Sequence, residues 1–229
     1  MVSSGSSGPP GPASERVRVR RRAKRGSYDR QSLDEIFDEA LVCRVGFVDD
    51  GQPFVLPTSF LRHGDAVYVH GHQRNRMLGR VASGAPVAIE ATIVDSMSMG
   101  RAVFSHSMNY RTAVVLGTGH EVVDPDEKTD LMNRLVERLL PGRLDTLRPL
   151  SEKEVGVTRV VAVPITEFSV KARTGPPVDA LTSDRSWPAW AGTLPLHIEV
   201  GVPEPDEYVP ADMPAPDYLL KWSESRTGV

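Results

Sequence analysis

The amino-acid sequence predicts a mainly β domain, in which six to seven antiparallel strands form a barrel and short helices are inserted between hairpins. Three observations predict this class. Short β-branched and apolar runs recur along the chain, tight-turn signals separate them, and they do not alternate with helices as in a βαβ fold. A chain of 229 residues with 40% hydrophobic content is large enough to bury one such core.

The two ends of the chain differ in composition from its centre. Residues 1–26 are rich in Ser, Gly and Pro and then strongly basic, so we expect a disordered arm. Residues 27–200 carry the β pattern and form the predicted folded domain. Residues 201–229 form an acidic, Pro-rich tail that we expect to be extended and to lie over a partner subunit.

The first helix is predicted from a capping pattern followed by an apolar stripe. Ser32 and Glu35 have the spacing of a capping box, in which each side chain bonds the other residue's backbone N–H. Leu33, Ile36 and Phe37 then recur at helical spacing. A second helix is predicted over residues 75–82. A third begins at Asp124, because an N-cap residue there is followed by proline and carboxylates.

The strands are predicted from β-branched runs between turn signals. The Asp50-Gly51 pair is a hairpin signal between the first two of them. Pro164 lies inside the last run and predicts a bend or an edge position. The predicted strands cover residues 42–49, 53–61, 66–70, 87–95, 102–106, 112–123 and 155–168.

Overall charge excludes a general attraction to nucleic acid or to a membrane surface, since the formal net charge is −3. The basic residues 16–25 allow two hypotheses, a nucleic-acid contact or a solvated extension. The lack of interleaved aromatic residues favours the extension. The single cysteine, Cys43, excludes a disulfide framework and is expected to be buried. No run of about 20 apolar residues predicts a membrane helix, so we expect a cytoplasmic protein.

Three polar segments are candidates for chemistry, although motifs for nucleophilic catalysis, nucleotide loops and zinc proteases are absent. Residues 54–60 combine apolar positions with proline and two hydroxyls. Residues 68–77 join a strand end, a glycine and a helix start with arginines, which suits a phosphate group. Residues 104–112 are dense in polar groups. Each segment also has a purely structural interpretation. Residues 54–60 fit a core strand, residues 68–77 a solvated loop, and residues 104–112 a polar strand start.

A protein-bound metal is not expected. His70 and His72 would point to one face of a strand and His106 could join them, but no further ligand follows at suitable spacing. An axial haem ligand among these histidines stays open.

Taken together, these segments resemble the pyridoxamine 5′-phosphate-oxidase-like, FMN-binding split-barrel proteins, in the branch of the nitroimidazole-resistance-type proteins. The resemblance runs from about residue 25 to residue 200. The order and spacing of its segments carry it, at residues 25–29, 43–49, 51–58, 68–71, 106–111 and 190–196.

The resemblance implies a homodimeric split β-barrel that holds FMN at the subunit interface and acts as an oxidoreductase on an unknown small molecule. It implies three groups of cofactor-binding residues and two residues near the C-terminal end. Those along the flavin ring are Leu56, Pro57, Thr58, Ser59 and Phe60. Those near the phosphate are His70, Gly71, Asn75, Arg76 and Met77. Those completing the pocket are Ser107, Asn109, Tyr110, Arg111 and Thr112, and those reaching the partner's flavin are Lys171 and Trp190.

The resemblance does not extend to synthesis of pyridoxal phosphate. Relatives with that activity carry basic residues on the second strand, where this chain has the uncharged segment 55–60. The residues identify neither catalytic groups nor a substrate. Alternatives are a non-catalytic flavin carrier or sensor, and a relative that binds a deazaflavin or haem in the same fold.

Overall fold

The computed structural model describes the backbone of residues 10–226 and the side chains as far as residue 222. The described chain is mainly β and antiparallel, as predicted. Its strands are β1 (Gly26–Ser27), β2 (Cys43–Asp49), β3 (Gln52–Thr58), β4 (Phe60–His63), β5 (Ala66–His72), β6 (Pro86–Met99), β7 (Ser107–Thr118), β8 (His120–Val122), β9 (Thr158–Pro164), β10 (Glu167–Arg173) and β11 (Gly192–Pro195). Its α-helices are α1 (Arg30–Glu39), α2 (Arg76–Ala82), α3 (Pro125–Leu139), α4 (Glu152–Val157) and α5 (Asp217–Arg226).

The strands form two antiparallel sheets. The large sheet has the order β1-β10-β7-β6-β2-β3, and β11 pairs with the far end of β6. The small sheet has the order β4-β5-β9-β8. Every pairing is antiparallel, and the β2–β3 hairpin turns at Asp50 and Gly51, whose φ angles of 49° and 78° are those of the turn that matches strand twist.

The described chain crosses between the sheets at four points, which joins them into one body. It crosses at Ser59 between β3 and β4, through α2 between β5 and β6, at Gly119 between β7 and β8, and between β9 and β10 after Pro164. Only glycine fits at residue 119, because a Cβ atom there would lie 2.5 Å from Val81 Cγ1 and 3.0 Å from the carbonyl oxygen of Ala162.

The main core lies between the two sheets and is closed by α1 and α2. Leu33, Phe37, Val45, Phe60 and Leu78 are among its fully buried side chains. A second, smaller core lies on the other face of the small sheet, where α3 contributes Leu131 and Leu135. The small sheet is therefore covered by protein on both faces, whereas one face of the large sheet is left open.

The first helix begins earlier than the capping pattern predicted. The N-cap is Asp29, whose side chain accepts hydrogen bonds from the backbone N–H and hydroxyl of Ser32, so Ser32 is the third residue inside α1. The predicted Ser32–Glu35 capping box is wrong, because an aspartate three residues upstream supplies the acceptor. The other two helix starts are confirmed at Asn75 and Asp124, and Asn75 accepts from the backbone N–H of Leu78.

Several predicted strands are divided or replaced. Residues 53–61 and 112–123 each form two strands, since the chain changes sheet within them. Residues 102–106 form a 3₁₀ turn, and the strand prediction there is wrong. Residues 155–168 were predicted as one strand, but they begin in α4 and bend after Pro164 from β9 into β10.

Residues 10–26 differ from the predicted disordered arm, while residues 1–9 lie outside the described part of the chain. Val17 is buried, and the backbone N–H of Val19 donates to the Tyr28 hydroxyl over 2.8 Å. Gly26 permits the close approach of Val19, since a Cβ there would lie 2.9 Å from Val19 Cβ. This part of the arm is fastened beside β1.

The tail is irregular between residues 203 and 216, with short turns, and then forms α5. Tyr218 of α5 lies against Gly142, and Arg143 donates to its hydroxyl over 2.7 Å. This end of the tail therefore contacts its own chain. In residues 10–226, no helix combines the length and apolar character needed to cross a membrane.

Candidate functional site

The open face of the large sheet carries a row of polar side chains across three strands. The Glu90 carboxylate on β6 accepts from Arg44 of β2 over 3.1 Å, from the Thr112 hydroxyl of β7 over 3.1 Å, and from the Thr92 hydroxyl. The two threonine hydroxyls lie 2.7 Å apart. In this single chain Arg44 is exposed, and Glu90, Thr92 and Thr112 are half-buried.

Exposed apolar side chains lie on the same open face of the large sheet and at the paired ends of β6 and β7. Val48 and Val55 are 53% and 65% exposed, and their strand neighbours Phe47 and Phe54 point instead toward the core. Met97 and Met108, paired across β6 and β7, are also exposed. A face that combines exposed valines and methionines with a polar row is typical of a surface that another molecule covers.

The residues predicted along a flavin ring occupy the β3–β4 crossing. Leu56 and Pro57 are exposed, and Thr58 and Ser59 are half-buried. Phe60 is fully buried, in edge-to-face contact with Phe37 at 5.4 Å between ring centroids. The side chain of Phe60 is therefore part of the core, and only its backbone is available to a ligand.

The turn before α2 brings four of the predicted phosphate residues together. Asn75 caps the helix, Met77 is buried in the core, and Gly71 lies 3.2 Å from Leu78 at its would-be Cβ. The Arg76 guanidinium lies 4.1 Å from the Phe54 ring centroid and 3.5 Å from an Asp49 carboxylate oxygen. Asp49 is also paired with Arg80, so the charge of Arg76 is partly balanced within the turn.

His70 is separate from that turn, because its side chain points to the α3 face of the small sheet. It lines a narrow apolar groove with Tyr68, Leu131, Met132 and other side chains. Burial lowers the pKa of His70, so its imidazole is neutral near pH 7. Within residues 10–222, no hydrogen bond involves its ring.

At the start of β7, Arg111 and Asn109 are engaged in structural bonds. Arg111 donates to Asp95 over 2.7 Å and to Glu39 of α1 over 2.8 Å, and these hydrogen bonds raise its pKa. Asn109 is buried and donates to Ser96 Oγ and to the carbonyl oxygen of Gly175, both over 2.9 Å.

The other three predicted residues of this segment differ in exposure. Ser107 is exposed, whereas Tyr110 and Thr112 are half-buried beside β10.

Lys171 and Arg173 lie two residues apart on β10. Lys171 is half-buried and pairs in register with Thr112 on one side and Gly26 on the other. Arg173 is 6% exposed and donates to Asn109 and, over 3.0 Å, to Ser98 Oγ. Both partners of Arg173 are neutral.

Trp190 is 71% exposed, and its indole ring folds back over Gly192 of β11. The structure thus divides the predicted residues into four places: the β3–α2 end, the groove at His70, the start of β11 with Trp190, and the β7–β10 region.

The strand register of the large sheet gives the approximate distance between the β3–α2 end and the β7–β10 region. Phe54, beneath Arg76, pairs through Phe47 and Val87 with Gly117, five residues from Thr112 along β7. At about 3.4 Å per residue and about 4.8 Å per strand, the two places lie roughly 17 Å apart along the strands and about 14 Å across them. The two places therefore lie at different ends of the large sheet.

Comparison with known proteins identifies the family. The family model described as pyridoxamine 5′-phosphate oxidase matches residues 29–172. The chain belongs to this family. The match extends from the N-cap of α1 into β10 and so contains the polar row, the α2 turn and Lys171. No curated protein matches the chain.

Two solved structures of the family are similar over nearly the whole chain. The flavocytochrome Anf3 from Azotobacter vinelandii shares 33% identity, with a TM-score of 0.87, over 93% of this chain and 98% of its own. The FAD and heme binding protein from Mycobacterium smegmatis shares 32% identity, with a TM-score of 0.83, over 87% of this chain and 97% of its own.

A third solved structure supports the fold alone. It is a 5-nitroimidazole antibiotic resistance protein from Bacteroides thetaiotaomicron, with 23% identity and a TM-score of 0.53 over 64% of this chain and 85% of its own. The family model and the similar structures confirm the resemblance to the pyridoxamine 5′-phosphate-oxidase-like split-barrel family and the mainly β class. The nitroimidazole-resistance branch stays a prediction.

Three members of the polar row, Arg44, Glu90 and Thr92, were not predicted as site residues, although the sequence carries a signal for the last two. In β6, Val87, Ile89 and Ala91 alternate with less buried positions, and two of those carry Glu90 and Thr92. A polar pair on the outward positions of a long central strand indicates a functional face. Within residues 10–222, no three His, Cys, Asp or Glu side chains are grouped to hold a metal ion.

Proposed function

We propose that this protein is a homodimeric flavoprotein that carries FMN or a related flavin nucleotide and acts as an oxidoreductase on a small molecule. The observation that carries the proposal is the similarity, at 32–33% identity over about nine tenths of the chain, to a flavocytochrome and to a protein that binds FAD and haem. A bound flavin supplies two-electron redox chemistry, and the protein supplies binding, orientation and exclusion of water.

The open face of the large sheet fits a flavin. The Thr92 and Thr112 hydroxyls and the Glu90 carboxylate can bond a polar ring edge, and the exposed valines nearby give an apolar surface for its faces. On β10, the half-buried Lys171 and the buried Arg173 supply positive charge that suits the phosphate of the nucleotide.

We propose that the same open face of the large sheet is the dimer interface. The exposed Val48 and Val55 are buried when a second copy covers the large sheet, which removes apolar surface from water. A second chain also brings groups to the site that one chain holds roughly 17 Å and about 14 Å away. We propose that Arg76 and Trp190 reach the flavin of the partner subunit rather than that of their own.

A substitution on the face tests the flavin and the dimer together. Val55→Glu places a charge in the proposed interface, and Val123→Glu makes the same change at a valine that is 78% exposed beyond β8. We expect Val55→Glu to be monomeric by ultracentrifugation and to quench added FMN fluorescence at least tenfold less well, while Val123→Glu behaves as the parent. A monomeric Val55→Glu protein that binds FMN normally would contradict the two-chain site.

A haem is the second candidate cofactor, supported by the names of both relatives and by the setting of His70. The neutral imidazole has the free ring nitrogen that an axial ligand needs, and the lining of the groove is apolar. The groove itself is narrow, with a volume of about 10 Å³. The ring nitrogen of His70 is therefore a suitable ligand for a haem iron. A whole porphyrin would fit beside it only if α3 lay farther from β5 than it does here.

His70→Leu tests this candidate, with His120→Leu at an exposed position of β8 as the control. We expect protein reconstituted with haemin to show a Soret band that His70→Leu alone loses. A band retained at parental strength in His70→Leu would remove His70 as the ligand.

Turnover separates the oxidoreductase from a flavin carrier or sensor. We expect NAD(P)H to bleach the flavin absorption and quinones or nitro compounds to restore it. A bound flavin that no donor reduces would favour the carrier, and a spectrum shifted to that of a deazaflavin would replace FMN. The free, buried Cys43 suits the reducing conditions of the cytoplasm, which we propose as the compartment.

A further inference from the structure

Four basic side chains project into solvent from one turn at the end of the N-terminal arm. The backbone N–H of Arg25 donates to the carbonyl oxygen of Arg22 over 2.8 Å, which closes the turn directly before β1 at the edge of the large sheet. We call the four exposed side chains the cationic turn: Arg20, Arg21, Arg22 and Lys24. Their charge is opposite in sign to the formal net charge of the whole chain, which is −3.

Packing fixes the cationic turn to the folded domain. Val17, three residues before it, is buried, and the backbone N–H of Val19 donates to the Tyr28 hydroxyl. Arg16 forms an ion pair with Glu167 of β10. The arm is therefore held to β1 and β10 on the near side of the turn, and the four cations belong to a surface of definite position.

The cationic turn is not neutralised within residues 10–222. None of its four side chains takes part in an ion pair there. Glu15, the carboxylate that precedes the turn, is engaged by Arg18 over 2.8 Å. Four like charges at this spacing repel one another, and an anionic partner relieves the repulsion.

A segment of opposite charge is exposed in the tail of the same chain. We call residues 204–212 the acidic segment, because they contain no Lys, Arg or His and carry the exposed carboxylates of Glu204, Asp206, Glu207 and Asp212. Among the described residues, no ion pair includes these four carboxylates. Tyr208 within the segment is 83% exposed. Four negative side chains thus match the four positive ones, and an aromatic ring that can stack on a guanidinium lies among them.

The two charged surfaces are kept apart within one chain. The tail leaves β11 where the backbone N–H of Leu196 donates to the carbonyl oxygen of Asp95 on β6 over 3.0 Å, and it ends with Tyr218 against Gly142. Strands β7 and β10 lie between β6 and β1, so β6 and β1 are separated by three strand spacings, about 14 Å. In the part of the chain that the structure describes, no ion pair joins the arm to the tail.

We infer that the cationic turn binds the acidic segment of a second copy of this chain. A twofold axis makes the contact twice, since each chain supplies one cationic turn and one acidic segment, and the pair closes with both surfaces covered. Exposed ion pairs are individually weak, so the strength of the contact comes from several pairs acting together. This inference rests on the proposed function for the homodimer and adds the two terminal segments that hold the chains together.

A nucleic acid is the competing partner for such a turn, and the observations favour the acidic segment. The four cations are confined to one turn, whereas a duplex presents phosphates along its whole length. The acidic segment of the same protein also competes with any phosphate backbone, at a local concentration that DNA does not reach.

Charge reversal tests the contact through the dissociation constant of the dimer, measured by analytical ultracentrifugation at low salt. The variants are Lys24→Glu in the cationic turn, Glu207→Lys in the acidic segment, and the two combined. Lys153→Glu and Glu152→Lys make the same changes at exposed positions of α4. We expect each of the first two to weaken the dimer by about tenfold, since two contacts are reversed per dimer, and the combined variant to recover most of the loss. The two α4 variants should behave as the parent.

The outcomes separate this inference from the proposed function. Unchanged dissociation constants in Lys24→Glu and Glu207→Lys overturn the inference and leave the homodimer in place. A parent protein that is monomeric at every concentration contradicts the homodimer and the inference with it. Binding of a fluorescent DNA duplex that Lys24→Glu loses and Glu207→Lys retains assigns the turn to nucleic acid and also overturns the inference.

Cross-linking of the parent protein distinguishes a second copy from the chain's own tail. A carbodiimide joins the Lys24 amine to a touching carboxylate as an amide, with loss of water and without a spacer. We expect a band of twice the chain mass on a denaturing gel, in which mass spectrometry finds Lys24 joined to a residue of the acidic segment. Lys24→Gln should lack this linked peptide and Lys153→Gln should retain it. The same linked peptide in the band of single-chain mass alone overturns the exchange between copies.

Discussion

Phe60 provides a sharp test of where the core ends and the ligand site begins. Sequence resemblance placed it along a flavin ring, whereas the structure buries it completely between α1 and the small sheet. Its ring contacts Phe37 edge-to-face at 5.4 Å, and the Arg138 guanidinium lies 4.4 Å from its centroid. Phe60→Ala should therefore act on stability rather than on binding.

The size of the effect follows from these contacts. Truncating a fully buried phenylalanine costs about 3–5 kcal/mol, which includes both lost transfer energy and the cavity that remains. The loss of the aromatic pair places the expected value toward the upper part of that range. For a domain of this size, each kcal/mol lowers Tm by about 2–4 °C, so we expect a fall of at least roughly 6 °C.

Urea unfolding followed by tryptophan fluorescence measures the change, with Leu56→Ala as the matched control four residues earlier. Leu56 is 38% exposed, so its truncation should cost about 1 kcal/mol or less. Phe60→Ala that is still folded at low temperature should bind flavin as the parent does. Parental stability together with lost flavin would refute the assignment of Phe60 to the core.

Three further predictions follow from single contacts. Asp29→Ala should lower Tm more than Ser32→Ala does, because Asp29 accepts the N-terminal bonds of α1; equal losses by calorimetry would restore the capping box. Burial lowers the pKa of His70 in the folded state, so unfolding takes up a proton below the unfolded value near 6.5, and stability should decrease as pH falls from 7 toward 5. In His70→Leu this decrease should be smaller, by at most about 1.4 kcal/mol per pH unit, and an identical pH profile in urea would contradict the assignment. Cys43 is fully buried and its pKa is raised to about 12 by desolvation, so native protein should resist alkylation at pH 8 and react after unfolding; rapid native labelling would show that the core opens.

The elements that the sequence predicted well are those set by local chemistry. Asn75 and Asp124 begin helices because their side chains accept backbone N–H bonds, and Asp50-Gly51 turns the hairpin because both residues adopt positive φ. The apolar stripe of Leu33, Ile36 and Phe37 is buried as its spacing indicated.

The errors arise where tertiary context decides. The β3–β4 and β7–β8 runs each look continuous in sequence, yet the chain changes sheet at Ser59 and Gly119. At Gly119, Val81 and Ala162, which are distant in sequence, leave no room for a Cβ atom. The N-cap is Asp29 rather than the predicted Ser32, because both side chains can accept backbone N–H bonds at this helix start and the Asp29 carboxylate does so. The arm is fastened beside β1 by Val17 and Val19, two apolar positions among arginines that a composition argument overlooks.

The candidate site was predicted only in part, because tertiary context also decides which of its segments meet. The segments that carry polar groups were identified, but their meeting points depend on strand register, which joins Lys171 to Thr112 and separates both from Arg76. The burial of Arg173 emerges only from the packing of β7 and β10.

Native mass spectrometry of the purified protein, before and after incubation with FMN, FAD and haemin, tests the central claim most directly. We expect a dimer that carries two flavins, with added mass for haem where haemin is supplied. A monomer that takes up no flavin at any concentration would contradict both the covered sheet face and the cofactor that it is proposed to hold.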